Sequence, residues 1–215
     1  MFCKVNGVEL YYEVSGSGRP LILLHGNGED HNIFDVLIPQ LAGEYRVYAV
    51  DSRCHGQSTH EASLGYEEMA ADMSAFIKEL GLQQPIFYGF SDGGIIGLLL
   101  ALKEPRLLGQ LIISGANLYP EGLTPRLLAY ALRKAPTDRL CQLMATQPNI
   151  SLVDLGNIQV PTVVLAGEKD LVRLEHTRII AAYLPHSQLE IIPGEDHSSY
   201  IVHSAKLYPL LKKYL

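Results

Sequence analysis

Along this chain, short apolar runs bounded by turn residues alternate with longer stretches in which apolar residues recur every three or four positions. Phe2 to Val5 and Val8 to Val14 are β-rich and flank the turn dipeptide Asn6-Gly7, which predicts an N-terminal hairpin. Leu21-Ile22-Leu23-Leu24 is too short for a helix and fits a strand buried on both faces. Arg46 to Val50, Pro85 to Tyr88, Gln110 to Ser114, Pro161 to Ala166 and Gln188 to Ile192 read the same way. Helical spacing links Ile33, Phe34, Leu37, Ile38 and Leu41, and it recurs over Tyr66 to Leu80, Ile95 to Lys103, Leu174 to Tyr183 and Ala205 to Tyr214. This alternation predicts a doubly wound, mostly parallel α/β sheet with crossover helices on both faces. From Asn117 to Gln159 there is no buried-strand run, only helical patterns over Thr124 to Lys134 and Thr137 to Met144. That segment reads as a short helical lid inserted into a single domain over 1–215, set above the carboxyl edge where such sheets bind ligands.

Composition supports one folded globule: 215 residues, 47% hydrophobic and 19% charged. The formal charge of −6, with no run of Lys or Arg, argues against nucleic acid as a partner. The longest apolar stretch, Ile95 to Leu102, falls short of the roughly 18 residues of a membrane span. MFCKVNGVEL lacks the pattern of a secretory signal, so a cytoplasmic location is the expectation. Cys3, Cys54 and Cys141 are widely spaced and form no CxxC pair, which predicts free thiols and neither metal nor cofactor. Oligomeric state is not legible.

The chemistry concentrates in Gly89-Phe90-Ser91-Asp92-Gly93-Gly94, a G-x-S-x-G pattern between a strand and a helix. A serine presented on such a strained turn is a candidate nucleophile, and the flanking glycines leave room for a tight backbone. Its hydroxyl needs a base, and the base needs an orienting group. Asp170 follows the strand at Pro161 to Ala166, and His197 follows the strand at Gln188 to Ile192, so both are expected at the same sheet edge. His31, His60, His176 and His186 read as solvated surface residues, and His203 as part of the last helix. Glu168, Glu195 and Asp196 compete with Asp170 for the orienting role.

An acyl-transfer site also needs donors aimed at the developing oxyanion. The backbone N–H groups of Asp92 and of Asn27, in His25-Gly26-Asn27-Gly28, are the candidates. The Asn27 side chain faces the pocket or forms the turn, and His25 fixes the loop. Asn27, Tyr119 and Val172 are candidate substrate-binding residues. Leu123, Leu127, Tyr130, Leu140 and Met144 either pack the insertion onto the body or line an acyl pocket.

The chain resembles the α/β-hydrolase superfamily, in its lid-bearing branch of esterases, lipases and C–C hydrolases. The resemblance rests on His25-Gly26, on Asp51-Ser52-Arg53-Cys54-His55-Gly56-Gln57-Ser58, on Gly89 to Gly94, on Val160-Pro161-Thr162 leading to Gly167-Glu168-Lys169-Asp170, and on Gly194 to His197. Cys54 stands where that family commonly has Gly, while Arg53 and His55 belong to its structural loop. The resemblance implies Ser91 as nucleophile, His197 as base and acid, Asp170 as orienter, and the Asn27 and Asp92 amides as oxyanion donors. Relatives that cleave carbon–halogen bonds or epoxides carry Asp at the nucleophile position, so Ser91 disfavours both, and the absence of Trp weakens a perhydrolase reading. Three functions remain: hydrolysis of small carboxylic esters through an acyl-enzyme, C–C bond or amide hydrolysis on the same triad, and slow-turnover ligand sensing. About 40 residues of insertion is short for such relatives, which implies an open site for small acyl groups.

Overall fold

The N-terminal hairpin pairs β1 (Phe2–Val5) with β2 (Val8–Ser15), and Asn6 and Gly7 turn it at φ of 47° and 80°. The computed structural model describes residues 1–215. After the hairpin come β3 (Arg19–Leu24), α1 (Ile38–Leu41), β4 (Tyr45–Val50), α2 (Tyr66–Glu79), β5 (Ile86–Phe90), α3 (Asp92–Lys103) and β6 (Gln110–Ser114). Three helices follow, α4 (Pro125–Lys134), α5 (Arg139–Thr146) and α6 (Leu152–Leu155). The chain then returns through β7 (Thr162–Lys169), α7 (Leu174–Tyr183), β8 (Ser187–Asp196) and α8 (Leu207–Leu211).

The strands form one eight-stranded sheet in the order β1-β2-β4-β3-β5-β6-β7-β8. Pairing is antiparallel for β1 with β2 and β2 with β4, and parallel from β4 to β8. The doubly wound α/β class predicted from alternation is therefore the fold. Side chains of the central strands divide between two cores with period two. Ile22, Leu24, Phe87, Leu111 and Ile113 enter the core under α2, α3 and α7, whereas Leu21, Leu23, Ile86, Tyr88 and Ile112 enter the one under α1 and α8.

Several elements differ in extent from the sequence expectation, for physical reasons. The helix expected over Ile33 to Leu41 splits into a 3₁₀ turn (His31–Phe34) and the single turn α1, because Pro39 is tolerated only in a first helical turn. Pro209 limits α8 in the same way, leaving His203 outside it at φ 49°. β7 and β8 run past their apolar stretches through polar Glu168, Lys169, Pro193 and Gly194; β8 is an edge strand, where proline is accommodated.

No helix is long and apolar enough to cross a membrane. All three cysteines are free.

Candidate active site

Ser91 sits between β5 and α3 at φ 51°, a left-handed conformation that strains a non-glycine residue. The chain holds it there by close backbone approach on both sides. A Cβ on Gly89 would lie 2.2 Å from the Gly93 carbonyl oxygen, and one on Gly93 would lie 2.4 Å from that of Leu24. Only glycine fits either position, which gives the G-x-S-x-G spacing its cause. The same packing starts α3 at Asp92, three residues before the apolar run suggests.

His197 directly follows β8, and Asp170 directly follows β7. The structure brings both to Ser91: His197 Nε2 is 3.1 Å from Ser91 Oγ, and His197 Nδ1 is 2.6 Å from Asp170 Oδ1. Asp170 is held in turn by the N–H groups of Val172 (2.9 Å) and Gly167 (3.2 Å), the latter donating to Oδ2. Because the carboxylate can only accept, His197 Nδ1 carries the proton and Nε2 presents its lone pair to the serine hydroxyl. Phe90 packs 4.9 Å from the imidazole, centroid to centroid. Glu168, Glu195 and Asp196 point elsewhere: Glu168 accepts from Gly194 N, Glu195 pairs with Lys206, and Asp196 caps the turn at Ser198 and Ser199.

The loop after β3 is oriented by His25. Ser52 N donates to His25 Nε2, so the ring proton is on Nδ1, which donates to the Gly26 carbonyl at 2.7 Å. Glu29 N donates to the same carbonyl. In a planar trans peptide the N–H points opposite to the C=O, so the Asn27 N–H is directed away from His25. Neither the Asn27 nor the Asp92 N–H has an acceptor within the protein. Gly26 borders Ser91 directly, since a Cβ there would lie 3.1 Å from the Ser91 Cβ. Two free backbone donors beside a serine can stabilise an oxygen that gains negative charge. Burial and the nearby His55 push the His25 pKa down to about 4, consistent with a neutral ring.

The Asn27 side chain donates to Asp92 Oδ2 at 3.0 Å and reaches the Leu140 carbonyl of α5 at 3.4 Å. Tyr66 OH donates to Asp92 Oδ1 at 2.7 Å. Burial pushes the Asp92 carboxyl up, and the Tyr66 and Asn27 hydrogen bonds pull it back.

A cleft of about 300 Å³ opens at Ser91 and His197, with Phe90, Leu127, Met144 and Leu171 as apolar walls and Asn27, Glu29 and Ser198 as polar ones. Of the insertion's apolar residues, Leu127 and Met144 line the cleft. Leu123 is buried against Val172, and Tyr130 is exposed. Tyr119 and Val172 do not line it: Tyr119 packs edge-on against His176 at 4.7 Å, and Val172 is 1% exposed. Its neighbour Leu171 takes the wall position. Sequence reasoning passes over Glu29, Phe90, Leu171 and Ser198, each of which lies within or next to a motif, the signal available.

Two histidines expected at the surface are buried. His31 bonds Asp51 through both its backbone N–H and Nδ1 (2.7 and 2.8 Å), and His176 Nε2 accepts from Leu118 N at 3.0 Å. Each satisfies buried backbone or carboxylate groups, a role that polar neighbours in sequence conceal. Asp30, His31 and Asp51 come close enough together to suggest a cation site. Both Asp51 oxygens already accept N–H groups, from His31 and Gln57, so the cluster reads as a knotted loop. Cys54 adopts φ 63°, which explains the family's preference for Gly there.

Residues 19–153 match the family model described as alpha/beta hydrolase fold. The chain belongs to that family. It is 24% identical to a pimeloyl-[acyl-carrier protein] methyl ester esterase of Yersinia enterocolitica over 91% of this chain and 93% of the relative. That alignment spans 243 residues against the 215 of this chain, so the relative carries internal segments that are missing here. It is 34% identical to the AB hydrolase superfamily protein YisY of Bacillus subtilis over 69% of this chain, which spans 56% of that protein's length. Among solved structures, Est816, described as an N-acyl homoserine lactone degrading enzyme, superposes with a TM-score of 0.85 at 23% identity over the whole of both chains.

Proposed function

We propose that this protein is a serine hydrolase that cleaves small carboxylic esters through an acyl-enzyme. The observation that carries the reading is the alignment of Ser91 Oγ, His197 and Asp170 at 3.1 and 2.6 Å on a strained strand-to-helix turn. Ser91 Oγ attacks the ester carbonyl while His197 Nε2 takes its proton, and the Asn27 and Asp92 N–H groups receive the oxyanion. Collapse of the tetrahedral intermediate expels the alcohol, protonated by His197. Water activated by the same imidazole then attacks the acyl-enzyme and frees Ser91 with the acid. Asp170 keeps the proton on Nδ1 throughout and stabilises the imidazolium. The esterase named among the relatives supports an ester as substrate. A cleft of about 300 Å³, at the small end for ligand sites, favours short acyl groups under a brief helical cover formed by α4 to α6.

Treatment with a fluorophosphonate, followed by peptide mass analysis, tests the nucleophile, and a chain-length series of p-nitrophenyl esters tests the reaction. The expected result is a mass shift on the Ser91 peptide, absent in Ser91→Ala, with turnover greatest for short acyl chains. No labelling of the wild type, or equal labelling of the variant, overturns the reading. Labelling with turnover of amides or β-diketones in preference to esters moves the activity to amide or C–C cleavage on the same residues. Labelling without turnover assigns ligand sensing.

A further inference from the structure

Glu29 is the one carboxylate on the wall of the cleft that holds Ser91, and neither the mechanism above nor the family motif uses it. Its Oε2 accepts from Gly26 N at 3.0 Å, which fixes the side chain against the loop. Gly26 has no side chain to intervene: a Cβ there would lie 2.7 Å from Glu29 Oε2 and 3.1 Å from Ser91 Cβ. The carboxylate and the serine therefore flank the same small space. Glu29 Oε1 has no partner in the protein. No lysine or arginine lines the cleft to neutralise it, and its other walls are largely apolar. The buried Asp51 and Asp72 have both oxygens engaged, and the exposed Glu44 pairs with Lys212. Glu29 instead keeps one oxygen free on a half-buried side chain that lines the cleft.

We infer that Glu29 is a specificity-determining residue that makes the cleft select esters carrying a cationic group close to the scissile bond and reject those carrying a carboxylate. An ammonium there meets the free Oε1 in surroundings less polarisable than water, where opposite charges attract more strongly than on the surface. A substrate carboxylate meets like charge with no lysine or arginine in the cleft to offset it. Phe90 and Met144 supply polarisable surface for the alkyl groups of such a cation.

The inference rests on the proposed ester hydrolysis, so the test separates the two. Three matched acetate esters are compared, of choline, of its uncharged isostere 3,3-dimethylbutanol, and of 3-hydroxypropanoate; three p-nitrophenyl esters with acyl chains ending in trimethylammonium, tert-butyl and carboxylate extend the comparison to the other side of the bond. On at least one side the wild type is expected to favour the cation over the uncharged isostere about tenfold in kcat/KM, and to disfavour the carboxylate by a similar factor. Glu29→Gln, which retains an oxygen for Gly26 N, is expected to bring both ratios near unity. Equal losses on all esters in Glu29→Gln mean that the residue acts on His197 or on the Asn27 loop and overturn the inference, as do wild-type ratios near unity. A second readout needs neither turnover nor the variant: choline is expected to slow fluorophosphonate labelling of wild-type Ser91 more than 3,3-dimethylbutanol does. Equal protection overturns the inference. Failure of all esters with intact labelling and selective protection by choline overturns ester hydrolysis and leaves the cation site standing.

Discussion

Asn27 and Asp92, 65 residues apart in sequence, are joined by a 3.0 Å hydrogen bond from the Asn27 side chain to the Asp92 carboxylate. These are the two residues whose backbone N–H groups lie free beside Ser91. The carboxylate of one thus holds the other, and Tyr66 fixes that carboxylate from α2. Asp92→Ala would leave the Tyr66 hydroxyl without its acceptor and the Asn27 amide with only the Leu140 carbonyl at 3.4 Å. It is expected to lower stability by about 1–3 kcal/mol in urea melts and to lower kcat for a short ester more than it raises KM. Asp92→Asn keeps one acceptor oxygen and is expected to fall between the alanine variant and the wild type. A kcat unchanged in the alanine variant would separate the carboxylate from the proposed oxyanion donors.

Gly93→Ala tests the backbone contact that shapes the serine turn. The added methyl would lie 2.4 Å from the Leu24 carbonyl oxygen and 2.9 Å from that of His25, both main-chain atoms. Relief requires α3 and β3 to separate, which overpacking data put at about 1–3 kcal/mol. The expected outcome is a lowered Tm together with slower fluorophosphonate labelling of Ser91. Normal labelling at a lowered Tm would mean that the turn tolerates displacement without losing its geometry.

The sequence carried the sheet because its central strands are short apolar runs bounded by turn residues, and Leu21 to Leu24 and Gln110 to Ser114 are legible in that pattern alone. It understated β7 and β8, whose last residues pair at the sheet edge with polar side chains and so carry no hydrophobic signature. The meeting of Ser91, Asp170 and His197 was legible because each follows a strand, and parallel strands deliver their carboxyl ends to one edge. His31 and His176 read as surface residues in sequence because their burial is set by distant partners, Asp51 and Leu118, and no local periodicity reports those. Tyr119 and Val172 were placed near the pocket by sequence adjacency. The side chain of Tyr119 turns to His176 instead, and the backbone of Val172 serves Asp170 while Leu171 faces the cleft.

The buried histidines predict the acid limit of stability. His25 and His176 each have a pKa lowered to about 4, in both cases mainly by burial, against a value near 6.5 in an unfolded chain. Between pH 6.5 and pH 4 the unfolded chain binds more protons than the folded one, so stability falls as pH drops through that window. Each histidine adds up to about 1.4 kcal/mol per pH unit to that slope. His176→Gln keeps an acceptor for Leu118 N and removes the titration. Urea midpoints of the wild type and the variant at pH 7, 5.5 and 4.5 are expected to converge as pH falls, and parallel curves would show that His176 titrates alike in both states.

Asp170→Asn tests the orienting role proposed for the Asp170 carboxylate. Asp170 Oδ1 receives both His197 Nδ1 and Val172 N, while Oδ2 receives Gly167 N, so every contact is one that an acceptor must make. An amide supplies a single acceptor oxygen. With its oxygen toward His197 the amide leaves Gly167 N without a partner; with its nitrogen there it leaves Val172 N without one, donates to Nδ1 and forces the ring proton onto Nε2. That tautomer presents a proton, not a lone pair, to Ser91 Oγ. The expected consequence is a kcat lowered by roughly 10³ to 10⁴-fold, the scale known for this change in a serine-protease triad, with KM altered far less. Fluorophosphonate labelling should slow in parallel, since it draws on the same nucleophile. A loss below tenfold would move the orienting role from Asp170 to another acid near His197, and Glu29, which shares the cleft with that imidazole, would be the next residue to replace.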